Sequence, residues 1–137
     1  MVRLGLVVAR FDKHGAVIDE MVASAERAAE QRGADIVRRV TVPGSYDTPL
    51  AADRLARAEE IDAVVVLGVI ITGETDHDQV IARAAATGLT EVSLERDTPV
   101  TLGIIGPGMT ASQAEARTQY GGRAVDSAIE MIENLSA

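Results

Sequence analysis

Two rhythms of apolar residues alternate along the chain. Leu4, Leu6, Val7, Val8 and Ala9 form a short, nearly continuous run, which predicts a buried strand over residues 2–9. Val17, Ile18, Met21, Val22, Ala25 and Ala28 then recur at spacings of three and four, the stripe of an amphipathic helix. Gly33 stands where a helix C-terminal glycine belongs. A weaker strand follows over residues 35–42, with Val37, Val40 and Val42 as its apolar members, and Pro43-Gly44 breaks it. Thr48-Pro49 predicts an N-cap followed by proline at the first helical position, and that helix carries Leu50, Ala51, Leu55 and Ala58. The longest apolar run, Ala63 to Ile71, predicts a fully buried third strand. A helix is expected to open at Thr75 and reach Leu94, and residues 99–105 read as a fourth strand. Gly106-Pro107-Gly108 makes a loop. Thr110 and Gln113 have the types and spacing of a capping box. Helical pattern then continues to Leu135, with a break expected near Gly121-Gly122.

Strand and helix alternate, so the sheet is expected to be parallel with helices on both faces. The predicted fold is α/β: a three-layer α/β/α sandwich around a central four-stranded parallel sheet, flavodoxin-like, in one domain over residues 1–137. No linker, repeat or low-complexity tract interrupts it. In such sheets ligands bind beyond the carboxyl ends of the strands. That rule gathers Arg10 to Asp12, Gly44 to Asp47, Ile70 to His77 and Ile105 to Gly108 at one edge.

Composition narrows the chemistry. With 47% hydrophobic residues the chain is not disordered, and no segment is apolar and long enough to cross a bilayer. No leader pattern precedes the first strand, so a cytoplasmic location is expected. Without cysteine there is no disulfide, thiolate metal site or thiol nucleophile. A net charge of −8 disfavours nucleic acid and anionic lipid as partners. Lys13 is the only lysine against twelve arginines, a balance that suits a salt-rich cytoplasm.

Against that background Gly73-Glu74-Thr75-Asp76-His77-Asp78 stands out. A strand that ends in glycine and opens a helix offers unpaired N–H groups and a partial positive charge, which together bind anions. His77, one of only two histidines, lies beside that cradle as a candidate proton carrier. The pairing points to an enzyme acting on a phosphorylated substrate. Phe11, the only phenylalanine, is either a stacking surface for a planar heterocycle or a plug under the loop. Ser45, Tyr46 and Asp47 either hold a polyhydroxylated chain or merely favour the helix start. The Thr75 hydroxyl either caps the helix or meets a phosphate oxygen. Arg117 and Arg123 are either phosphate partners or solvated charges, and His14 reads as surface. No metal constellation, dinucleotide fingerprint or Walker loop is present.

Taken in order, Arg10-Phe11, Val42-Pro43-Gly44-Ser45-Tyr46-Asp47-Thr48-Pro49-Leu50, Leu67-Gly68-Val69-Ile70 and Gly73-Glu74-Thr75-Asp76-His77 resemble the 6,7-dimethyl-8-ribityllumazine synthase family. The resemblance runs from Val2 to Leu135. Gly106 to Thr110, Gln113, Arg117, Tyr120-Gly121 and Arg123-Ala124-Val125 are similar to its archaeal branch. It implies condensation of 5-amino-6-(D-ribitylamino)uracil with 3,4-dihydroxy-2-butanone 4-phosphate, releasing orthophosphate without a cofactor. By resemblance, Phe11 stacks on the pyrimidine, Ser45, Tyr46 and Asp47 hold the ribityl chain, and Ile70 and Ile71 lie along the uracil edge. Gly73, Glu74 and Thr75 would receive the phosphate, His77 would transfer protons, and Arg117 would reach the phosphate from a neighbouring subunit. Leu102 and Arg123 match positions at that shared site, and Asp126 matches an acidic position that orients the histidine or relays its protons. Asp12, Asp47, Leu102 and Arg123 depart from the commoner asparagine, glutamate, aromatic and lysine. The family builds pentamers, and often hollow icosahedral shells of twelve pentamers, so a pentamer-based homo-oligomer is expected. The competing readings are a non-catalytic binding or shell-forming homologue, the archaeal type of riboflavin synthase, and a flavodoxin-like electron carrier. The last lacks a hydroxyl-rich phosphate loop after strand one.

Overall fold

The computed structural model describes residues 1–136. Four strands, β1 (Arg3–Ala9), β2 (Asp35–Val42), β3 (Ala63–Val69) and β4 (Val100–Ile105), alternate with helices. The helices are α1 (Gly15–Gln31), α2 (Thr48–Ala56), α3 (His77–Arg96), α4 (Ala111–Glu115) and α5 (Tyr120–Leu135). Single 3-10 turns at Asp12–His14 and Ser45–Asp47 lead into α1 and α2. Every strand pair is parallel, in the order β2-β1-β3-β4. This is the α/β sandwich the alternating pattern predicts.

The burial of each strand follows from its place. β1 and β3 have a neighbour on each side and a helical layer on each face, so both read as continuous apolar runs. β2 is an edge strand and leaves Arg38 and Arg39 exposed, which explains its weaker pattern. Side chains alternate across the sheet. Leu4, Leu6, Val8, Val65 and Leu67 pack beneath α1 and α5, while Val7, Val64 and Val66 pack beneath α2 and α3. Leu6, Ile18, Met21 and Leu55 are almost wholly buried. Burial of each contributes roughly 1.5–3 kcal/mol relative to exposure.

Several element boundaries differ from the sequence reading. The N-cap of α2 is Asp47, and Thr48 is the first helical residue. The Thr48 hydroxyl turns inward, fully buried, and donates to the Ser45 carbonyl at 2.8 Å. The third strand stops at Val69, and α3 opens at His77 with Asp76 as its N-cap. Ile70 keeps one ladder bond, its amide donating to Ile105 at 2.9 Å, after which β4 has ended and the chain is free to turn. The break in the last helical stretch falls at residues 116–119, ahead of the two glycines. Gly121 and Gly122 lie inside the first turn of α5, where it crosses α1. A β-carbon at Gly121 would collide with the Met21 carbonyl, so the glycine serves close helix approach instead of a break. The predicted capping box is present: Thr110 accepts from the Gln113 amide at 3.2 Å, and Gln113 accepts from the Thr110 amide at 2.9 Å.

Candidate active site

From β1 the chain passes to β2 on one side, and from β3 it passes to β4 on the other. The connecting helices α1 and α3 lie on opposite faces of the sheet. A crevice therefore opens beyond the carboxyl ends of β1 and β3, at the topological switch point. A cavity of about 480 Å³ occupies it. Phe11 and His14 line it after β1, Gly44 and Ser45 after β2, and Val69, Ile70 and Ile71 at the end of β3. Gly73, Thr75, His77, Asp78 and Ile81 complete the wall.

Phe11 is 58% exposed, which rules out the plug reading and leaves its ring facing the cavity. Arg10 fixes the turn that carries it. The guanidinium donates to both Asp19 oxygens at 3.2 Å and to Asp12 at 2.8 Å, tying the turn to α1. The hydrogen bond from Arg10 holds the Asp19 carboxyl below the usual carboxylate range. His14 packs obliquely on Phe11, ring centroids 6.1 Å apart. The expectation that His14 is mere surface is therefore corrected: it is half-buried and lines the cavity. Both histidines of the chain share this wall.

The segment before α3 leaves backbone donors free. Among the described residues, the amides of Gly73, Glu74, Thr75 and Asp76 donate to no protein group. The Thr75 hydroxyl accepts from the His77 amide at 3.3 Å, so it caps the helix start from one residue before the N-cap. His77 is the first residue of α3, exposed, with its ring on the cavity. Beside it Asp78 is buried and accepts from the Gly108 amide at 3.3 Å and from the Thr72 hydroxyl at 3.4 Å.

Within the chain most of the remaining expected site residues lie elsewhere. Leu102 and Arg117 line a separate hollow of about 420 Å³ with Gln113 and Tyr120, and it shares no residue with the first. The Arg117 guanidinium donates to the Gln113 carbonyl at 2.8 Å. Tyr46 and Asp47 line a third hollow with Leu50 and Gly88. Glu74 is exposed, between Gly73 and Thr75, and is not among the residues that line the cavity. Arg123 lies over the Tyr120 ring, 4.6 Å from its centroid. Asp126 lies 3.4 Å from the Arg32 guanidinium, between α5 and α1, and is not part of the cavity wall. Among the described residues no group of three or more histidines and carboxylates could hold a metal ion, and no helix is long and apolar enough to cross a membrane.

Residues 1–136 match the family model for 6,7-dimethyl-8-ribityllumazine synthase. The chain belongs to that family. A 6,7-dimethyl-8-ribityllumazine synthase of Halobacterium salinarum is 56% identical over 98% of this chain and 100% of its own length. One from Halorubrum lacusprofundi is 55% identical over 98% of this chain and 99% of its own. Another, from Methanocaldococcus jannaschii, is 44% identical over the whole of this chain and 96% of its own. Sequence reasoning located Phe11, Ser45, Ile70, Gly73 and His77 at the carboxyl edge of the sheet, but it missed His14 and gave Asp78, the last residue of the stretch it singled out, no role. Both lie within a few residues of segments already assigned to the edge, which is the signal that was available.

Proposed function

We propose that this chain is a working 6,7-dimethyl-8-ribityllumazine synthase of riboflavin biosynthesis. It is a transferase that condenses 5-amino-6-(D-ribitylamino)uracil with 3,4-dihydroxy-2-butanone 4-phosphate and releases orthophosphate. The observation that carries this is one cavity lined by Phe11, His77 and the loop residues Gly73 and Thr75, whose backbone amides are unbonded. Phe11 stacks on the pyrimidine, and Ser45, Ile70 and Ile71 border it. The amides of Gly73, Glu74 and Thr75 take the phosphate, as loop and helix-start amides do for anions generally.

The pyrimidine's amine attacks the ketone and forms an imine with loss of water. Proton removal, departure of phosphate, and ring closure by the ribitylamino nitrogen on the remaining carbonyl with loss of a second water follow. His77 moves those protons, a task suited to an imidazole near neutral pH. No step calls for a cofactor.

Arg117, Leu102 and Arg123 complete the site of an adjoining copy, and Asp126 supports it from the same helix as Arg123. Their separation from His77 within one protomer favours this arrangement. Tyr46 and Asp47 meet the ribityl chain from the rim. The exposed apolar side chains Tyr46, Leu50, Val80 and Leu102, each more than half exposed, supply contact surface for such copies. The assembly is pentamer-based. Mixing the purified protein with both substrates tests the activity: lumazine absorbance should rise together with phosphate release. Neither signal, from a folded protein, would reject the proposal.

A further inference from the structure

Among the described residues Asp78 is the only buried carboxylate, 7% exposed, and it takes part in none of the ion pairs. It lies next to His77 on the cavity wall. A negative charge there repels a bound anion, so its position needs a reason other than charge. Its contacts supply one. Oδ2 accepts from the Thr72 hydroxyl at 3.4 Å and from the Gly108 amide at 3.3 Å. Thr72 opens the segment with the four unbonded amides, and Gly108 belongs to the loop between β4 and α4. The same two loops touch at the Thr72 amide, which donates to Met109 at 2.9 Å. They meet again at Gly106, φ 96°, where a β-carbon would strike the Ile70 carbonyl.

We propose that Asp78 is a positioning residue: its carboxylate staples the 72–76 loop to the 106–109 loop and so fixes the anion-binding amides. This rests on the phosphate reading above. The test compares the assembled wild type with Asp78→Ala, Asp78→Asn and Thr72→Val by amide hydrogen exchange and steady-state kinetics, with inorganic phosphate as competing probe. In Asp78→Ala, exchange over residues 73–77 should quicken. The KM for the sugar phosphate and the inhibition constant for inorganic phosphate should rise about tenfold, the low end for hydrogen bonds to a charged group given these long distances. The KM for the pyrimidine should stay within about twofold of wild type, a split that general loosening of the fold would not give. Asp78→Asn keeps an acceptor oxygen and loses the charge, so its phosphate affinity should equal or exceed that of wild type. Thr72→Val should fall between wild type and Asp78→Ala.

Tighter or unchanged phosphate binding in Asp78→Ala would overturn the inference, because the carboxylate would then act only as a repulsive charge. Asp78→Asn as weak as Asp78→Ala would overturn it as well. If Asp78→Ala does not fold, Thr72→Val decides, and unchanged exchange and inhibition there would reject the staple. Wild type that neither turns over nor binds inorganic phosphate would refute the phosphate reading itself, while the exchange comparison would still judge the staple.

Discussion

The proposed function gives His77 and Arg117 separable parts of the chemistry. General acid–base transfer by one side chain contributes about 10²–10⁴-fold. Holding two reactants in register contributes up to roughly 7–11 kcal/mol. Binding geometry therefore dominates, and His77→Ala should lower kcat within that 10²–10⁴ range yet leave turnover measurable. Unchanged kcat would remove His77 from the mechanism. Arg117→Ala should instead raise the KM for the sugar phosphate, by about tenfold or more for a charge-assisted contact, with a smaller change in kcat. An unaltered KM would remove Arg117 from the phosphate site. Phe11 was ambiguous in the sequence because a lone aromatic fits a core as well as a ligand, and its exposure removes the core alternative.

Helix contacts set two further expectations. α5 crosses α1 at Gly121 with no room for a methyl group, so Gly121→Ala should destabilise the fold by about 1–3 kcal/mol in urea denaturation. α3 is tied to α2 where Arg96 donates to Asp53 at 2.8 Å and 3.3 Å. That hydrogen bond holds the Asp53 carboxyl below its ordinary value. The stabilisation is fully present above the unfolded carboxylate's range and is lost as pH falls through the folded value. After screening, Asp53→Asn should cost about 0.5–1 kcal/mol at neutral pH, and the gap to wild type should close in strong acid. A gap independent of pH would discard the pair as its cause. The elements themselves were legible where one pattern dominated: β1 and β3 as unbroken apolar runs, α1 as a stripe, α4 by its capping box. The α4–α5 break was misplaced because a glycine pair reads alike as a breaker and as a close contact, and only the opposing helix distinguishes them. Thr48 was misread for a similar reason, since its partner is a carbonyl three residues back and not the helix it opens. Asp78 stayed hidden because its partner Gly108 is thirty residues distant in sequence.

Across the molecule, β–α alternation and the strand-end rule placed the cavity before any coordinates. Neither could say that the expected site residues would fall into separate hollows of one chain, because that depends on how the loops and helices pack. The separation of His77 and Arg117 into different hollows makes the proposed shared pocket the central claim. It is tested most directly by co-expressing His77→Ala and Arg117→Ala chains under different tags, isolating the mixed assemblies, and assaying lumazine formation at limiting sugar phosphate. In a closed ring each pocket would take His77 from one copy and Arg117 from the next. Random mixing should then restore about a quarter of wild-type activity, well above either variant alone. Mixed assemblies no more active than the average of the two variants would contradict the account.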